Sequence, residues 1–129
     1  MFRVIVAGSR SFTDFSYANH VLQRAFVNRK PSSIVCGMAS GADSIGLRWA
    51  QLNQIPVDKF PAEWQKFGKS AGYKRNVQMA ENAEALVAFW DGESSGTKHM
   101  INIALEHGLP IILVNYKEKT IHRIKGKTE

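Results

Sequence analysis

The chain has 129 residues, a single cysteine and a formal charge of +6, and 44% of its residues are hydrophobic. That is the size of one compact domain with enough apolar side chains for a real core. No apolar run reaches the roughly 18 residues that a membrane-crossing helix needs, which argues against a membrane partner. The lone Cys36 excludes an internal disulfide and a cysteine-based zinc site. The apolar run at the N-terminus is too short for a secretory signal, so a cytoplasmic location is expected. The positive charge points to anionic partners. Half of the excess sits in residues 116–129, where five cations face Glu118 and Glu129.

In chain order, Phe2 to Ala7 is a nearly continuous β-branched run, as in a strand buried on both faces, and it stops at Gly8-Ser9-Arg10. Ala18, Val21, Leu22, Ala25 and Phe26 form a helical stripe, closed by Asn28 to Pro31. Ser33 to Cys36 predicts a second strand, in which Cys36 reads as a small buried hydrophobe. There follows the stretch around which the chain is organised, a Gly37-x-x-x-Gly41 turn leading straight into a helix. Ile45, Trp49 and Leu52 share one face of that helix, Ser40 is placed to cap it, and Asp43 stands as the acidic half of a capping box. Gly37 and Gly41 leave no side chain over the backbone N–H groups, so the turn suits either a plain strand-to-helix connection or a phosphate cradle.

The helix breaks at Ile55-Pro56, and Val57 to Phe60 gives a short third strand. Residues 61–72 are irregular and rich in aromatic and basic residues, among them Trp64, Lys66, Phe67 and Lys69, with Tyr73, Lys74 and Arg75 following. A third helix is predicted from Tyr73 to Asn82 with Val77 and Ala80 inward, and Ala85 to Trp90 forms a fourth strand. After the polar turn Asp91 to Thr97, Met100, Ile101, Ala104 and Leu105 make the stripe of a fourth helix, and Ile111 to Val114 a fifth strand. Ile121 to Ile124 offers an edge strand ahead of a loose tail.

Apolar strands alternating with helices predict an α/β fold, a parallel sheet covered on both faces. Ligands of such sheets bind at the carboxyl ends of the strands, where the strand order reverses. Four turns meet there: Gly8, Ser9 and Arg10; Gly37, Ser40, Gly41 and Asp43; Arg75 and Asn76; and Asp91, Gly92, Ser95, Gly96 and Thr97. Helix N-termini, hydroxyls and two arginines make that edge a place for phosphate. The first turn lacks the Gly-x-Gly-x-x-Gly fingerprint. No Asp or Glu lies between Asp14 and Asp43 to hold a ribose, which argues against a nicotinamide-linked dehydrogenase. No Walker A motif is present, and His20, His99, His107 and His122 show no metal-ligand spacing, so neither cofactor nor metal is expected. Asp91, Glu93 and Asp43 are the carboxylates near the crevice that could act as general acid or base, and each has an ordinary structural use as well.

Val6-Ala-Gly-Ser-Arg10, Gly37-Met-Ala-Ser-Gly-Ala-Asp43, Lys74-Arg-Asn76 and the segment from Phe89 to Met100 together resemble the SLOG superfamily. Its branches include the Smf/DprA DNA-processing proteins and the lonely-guy phosphoribohydrolases. The likeness is strongest to the small stand-alone YspA-related branch, frequent in bacteria and their phages. The resemblance spans residues 2 to about 115. It implies a single Rossmann-like domain, residues 1–115, with a five-stranded, mainly parallel sheet of order 3-2-1-4-5 between two helical layers, and a basic tail, residues 116–129. It implies a nucleotide or nucleotide-derived sugar as ligand, bound by a sensor or a weak N-glycosidic hydrolase. Lonely-guy enzymes carry a glutamate where this chain has Met100, while Arg75 matches their arginine, so the phosphate half of that site is present and the acid is absent or moved to Asp91 or Glu93. The DprA-like likeness implies instead single-stranded nucleic acid, for which Trp64, Phe67 and Tyr73 among lysines would offer stacking faces. Homodimers are a further expectation of the resemblance.

Overall fold

The central strand β1 (Arg3–Gly8) is paired on both sides, parallel to β2 (Ser33–Cys36) and to β4 (Ala85–Trp90). The computed structural model describes residues 1–39 and 41–127. In β1, Val4 and Val6 join one apolar cluster and Ile5 and Ala7 the other, as the two-residue period of a strand requires. Both faces are covered, and so the strand needs no polar alternation. β3 (Val57–Lys59) lies outside β2, and β5 (Ile111–Asn115) lies outside β4.

Helices α1 (Phe15–Ala25) and α2 (Ala42–Leu52) cover one face through Leu22, Ile45 and Trp49. The Asp14 carboxylate caps α1 at the Tyr17 N–H, 3.0 Å away. On the other face α4 (Ala71–Glu81) and α5 (Ser95–Glu106) pack Met79, Ala80, Met100, Ile101 and Ala104 on the sheet. The irregular segment before α4 holds a single-turn helix α3 (Trp64–Phe67) and a 3-10 turn (Gly68–Ser70). The result is a three-layer α/β/α arrangement.

The sheet has six strands in the order β3-β2-β1-β4-β5-β6, where five were expected. The sixth, β6 (Thr120–Ile124), is antiparallel to β5 and realises the edge strand anticipated at Ile121 to Ile124. It forms because the chain reverses within a few residues. Asn115 Oδ1 accepts from the N–H groups of Lys117 and Glu118, both at 3.1 Å, and Lys119 adopts a positive φ of 58°. Past β6 the Lys127 N–H donates to Gly108 O at 3.0 Å, so this part of the tail is pinned to the loop after α5.

Burial also corrects several inward assignments. Leu52 is 64% and Leu105 41% exposed, so each apolar stripe includes a side chain that the sheet does not cover. α4 starts at Ala71, two residues early, and turns Asn76 and Met79 inward while Val77 is only partly covered. The cap of α2 is Gly41 with no side-chain bond, and Ser40, expected as that cap, lies outside the described residues.

Phe89 is fully buried and stacks on Phe12 at 4.9 Å, with Tyr116 beyond at 4.5 Å. Phe89→Ala is therefore expected to lower the unfolding free energy by about 3–5 kcal/mol, whereas Leu52→Ala should change it by less than about 0.5 kcal/mol. Urea unfolding of the two variants checks both figures.

Candidate functional site

The strand order reverses between β1 and β4, and the turns that leave their carboxyl ends part there to open a cleft of about 570 Å3. Ser9 ties the turns together. Its N–H donates to Phe89 O at 2.9 Å, and its carbonyl accepts from Phe12 N at 3.2 Å and Ala42 N at 3.3 Å. Its side chain, 2% exposed, accepts from Asp91 N at 3.2 Å. Ser9 lines the cleft, yet its hydroxyl serves as a brace between loops.

Asp91 is the other half of that brace. Its carboxylate accepts from the N–H groups of Glu93 and Ser94 at 2.8 Å each, and from Ser94 Oγ at 2.8 Å, while Ser94 Oγ lies 3.0 Å from Ser9 Oγ. The Ser94 N–H foremost, then the Glu93 N–H and the serine hydroxyls, hold the carboxyl down at about 2. Such a group is ionised, bonded on both oxygens and a weak base. Asp91, Gly92 and the exposed Glu93 form the back of the turn and do not line the cleft. Of the three carboxylates named as possible acid or base, Asp91 and Glu93 thus stand away from the cleft, because the loop closes on itself, while Asp43 lines it.

The opposite wall is built on Arg75, near the start of α4. Its guanidinium donates to the Gly37 carbonyl through Nη1 and to Asn76 Oδ1 through Nε at 3.1 Å. Asn76, 5% exposed, then points its amide nitrogen at Gly96 O (3.4 Å) and at His99 Nδ1 (3.1 Å). Since the amide donates there, His99 Nδ1 accepts and the neutral ring carries its proton on Nε2. Burial lowers the His99 pKa, which favours the same form, and Tyr73 packs on the ring at 4.2 Å.

Gly37 lies where Arg75 and Asp43 converge. A Cβ on Gly37 would meet Arg75 Nη1 at 2.6 Å and Asp43 Oδ2 at 3.0 Å, so any side chain there would have to push the Arg75 guanidinium aside. In the same turn Met38 holds a left-handed φ of 64° at a cost of about 1–2 kcal/mol. Gly41, with φ 74°, passes against the Ser9 and Arg10 carbonyls. Asp43, 5% exposed, accepts from Ala39 N at 3.1 Å rather than capping its own helix. Burial pushes its carboxyl up to about 6 against the Ala39 N–H and the attraction of Arg75 and Arg10. Arg75 is pulled the other way by burial, opposed by Asp43. The two form no ion pair.

α5 brings its N-terminus to the cleft. Ser95, Gly96 and Thr97 line it, and the Ser94 cap makes no side-chain bond to the first turn. Thr97 is 6% exposed and lines the cleft. Met100 and Met79 supply the apolar floor. Gly8 and Arg10 also line the space, and Gly37 lies in an adjoining hollow. Trp64, Lys69 and Tyr73 complete the rim. They belong to the segment leading up to Arg75-Asn76 that the sequence brings to the crevice, and Trp64 and Tyr73 are two of its expected stacking faces.

The model of the YspA, cpYpsA-related SLOG family matches residues 2–67. The chain belongs to this family. It is 35% identical over 127 residues to the gene 61 protein of Mycobacterium phage D29, covering 92% of the chain and 99% of that protein. Over 56 residues, 41% of the chain, it is 36% identical to the uncharacterized SPbeta prophage-derived protein YoqJ of Bacillus subtilis (strain 168), of which the match covers 33%. Among solved structures, phosphoribosylglycinamide formyltransferase (purN) in complex with CHES from Coxiella burnetii aligns with a TM-score of 0.46 and 12% identity, over 87% of this chain and 50% of that one.

Within this SLOG domain Asp43 makes a pH signature. Its folded pKa of about 6 lies above the ordinary 3.8, so the folded state holds the extra proton between the two values. The resulting stability is present below pH 4 and is lost as pH rises through 6, by about 1–3 kcal/mol. Asp43→Asn stays neutral throughout. Its unfolding free energy minus that of the wild type should rise by that amount between pH 4 and pH 7, and a flat difference in urea titrations would contradict the assignment.

Proposed function

We propose that the cleft binds a nucleotide or a nucleotide-derived sugar phosphate, with its phosphate between Arg75 and the first turn of α5. The supporting observation is the half-buried Arg75 guanidinium, fixed in direction by Gly37 O and Asn76 and left without an ion pair among the described residues. A buried cation held this way is costly unless an anion arrives. The first-turn N–H groups of α5, with no side-chain cap, and the Thr97 hydroxyl add donors on the facing side. Membership of the SLOG family supports the same class of ligand.

The reading is of a binding domain, a sensor, with hydrolysis of the N-glycosidic bond at most slow. Loss of the base leaves an oxocarbenium-like sugar that a placed carboxylate would stabilise. Met100, 1% exposed, occupies the cleft floor instead, and Asp91 is engaged in its own turn. Incubation with AMP and related monophosphates should release little free base by chromatography. Ready turnover would instead point to Asp43, the one cleft carboxyl that titrates near neutrality.

A second reading, single-stranded nucleic acid, draws on Trp64 and Tyr73, 52% and 49% exposed at the rim beside Lys69. Salt separates the two, because strand binding falls steeply with salt through counterion release and a mononucleotide in the cleft loses far less.

Arg75→Lys keeps the charge and loses the fork, and Arg75→Ala loses both. Calorimetric titration with AMP should show weaker binding for Lys, and about tenfold to a hundredfold weaker for Ala. A lowered melting point with unchanged affinity would make Arg75 a purely structural residue.

A further inference from the structure

Past Arg10 and Arg75 a second cavity of about 320 Å3 opens between the Met38 turn and the Pro61-Ala62 segment. Arg10, Ala39, Trp64 and Arg75 line both spaces, so they are two lobes of one groove with a waist between them. The lobes differ in character. The larger has Met79 and Met100 below and Tyr73 beside it, apolar surface suited to a base and its ribose. The smaller offers backbone, Pro61, Ala62 and the Trp64 ring, a surface on which the face of a sugar can pack.

At the waist stand two arginines. Arg10 is exposed and Arg75 half-buried, and neither forms an ion pair among the described residues. They repel one another, which adds to the lowering of the Arg75 pKa, and an anion between them would relieve both the repulsion and the desolvation. The waist and the α5 N-terminus are one amide group apart. Asn76 Oδ1 accepts from Arg75 Nε at 3.1 Å, and its Nδ2 faces Gly96 O at 3.4 Å. Two anion points that close suit adjacent phosphates of one ligand.

We propose that the groove takes a nucleoside diphosphate conjugate, with the nucleoside in the larger lobe, the diphosphate running from the α5 N-terminus to the Arg10–Arg75 waist, and the second group, a sugar, in the smaller lobe. This rests on the nucleotide reading above and narrows it from monophosphates to diphosphate-linked compounds. Trp64, which borders both lobes, covers the junction.

Calorimetric titration with AMP, ADP and ADP-glucose, and with UMP, UDP and UDP-glucose, tests it. In one series or both, the diphosphate should bind about tenfold tighter than the monophosphate, and the sugar conjugate tighter still. Arg10→Ala, an exposed position, should keep its melting point and bring the diphosphate-to-monophosphate ratio within about twofold. Ala62→Phe, which fills the smaller lobe, should cancel the gain from the sugar while the diphosphate preference stays. Equal binding of monophosphate and diphosphate by the wild type overturns the diphosphate waist and leaves the nucleotide reading standing, as does an Arg10→Ala loss that is the same for both. Failure of every probe to bind overturns both readings together.

Discussion

β1 and β4 pair in parallel from Val4 against Ala85 to Gly8 against Phe89, and the Ser9 N–H extends that ladder by one more bond to Phe89 O. The chain order reverses across this pair, so the turns after β1 and β4 leave side by side and then diverge. Without that register the Ser9–Ser94–Asp91 brace would not meet, and the α5 N-terminus would have no fixed direction. The ladder is protected because both its faces are buried, β1 contributing to two separate apolar clusters. A slip of one residue would turn Val4 and Val6 onto the face built for Ile5 and Ala7.

Above this rigid floor the cleft keeps its charges in tension. Asp43, Arg75 and Arg10 lie close enough to feel one another, yet burial works against the charged form of both Asp43 and Arg75. Gly37 lets the two approach its backbone from either side, and Met38 takes up a left-handed conformation in the same turn. A strained turn with unneutralised charge from three other segments around it belongs more to sites that take a ligand than to sites that only hold a fold. The only ion pair among the described residues, Arg3 to Glu84 at 2.7 Å, lies at the other end of the strands.

Periodicity located the helices but not how far their faces stay covered. Leu52 and Leu105 continue their stripes, yet both are left in solvent. Polar residues went the other way. Asn76 carries no apolar signal, yet it is buried because its amide bridges α4 to the first turn of α5. Asp91 and Glu93 stood near the crevice in sequence, but loop geometry turned one inward to its own turn and left the other exposed.

The residues by themselves determined the alternation of apolar strands and amphipathic helices, the bare Gly37 and Gly41 turn, and the missing fingerprint acid. Each of these is a local property of composition or spacing, carried by the chain before it folds. The SLOG family model supports the family resemblance drawn from these motifs. Only the tertiary structure decided that β6 runs antiparallel beside β5, that Trp64 and Tyr73 stand at the cleft, and that the arginines share a waist between two lobes. Those outcomes join segments far apart in sequence, and they depend on which buried contacts win once the sheet has formed. The shift of Asp43 to about 6 is of the same kind, since burial in the folded chain raises it against the opposing pull of the Ala39 N–H and two distant arginines.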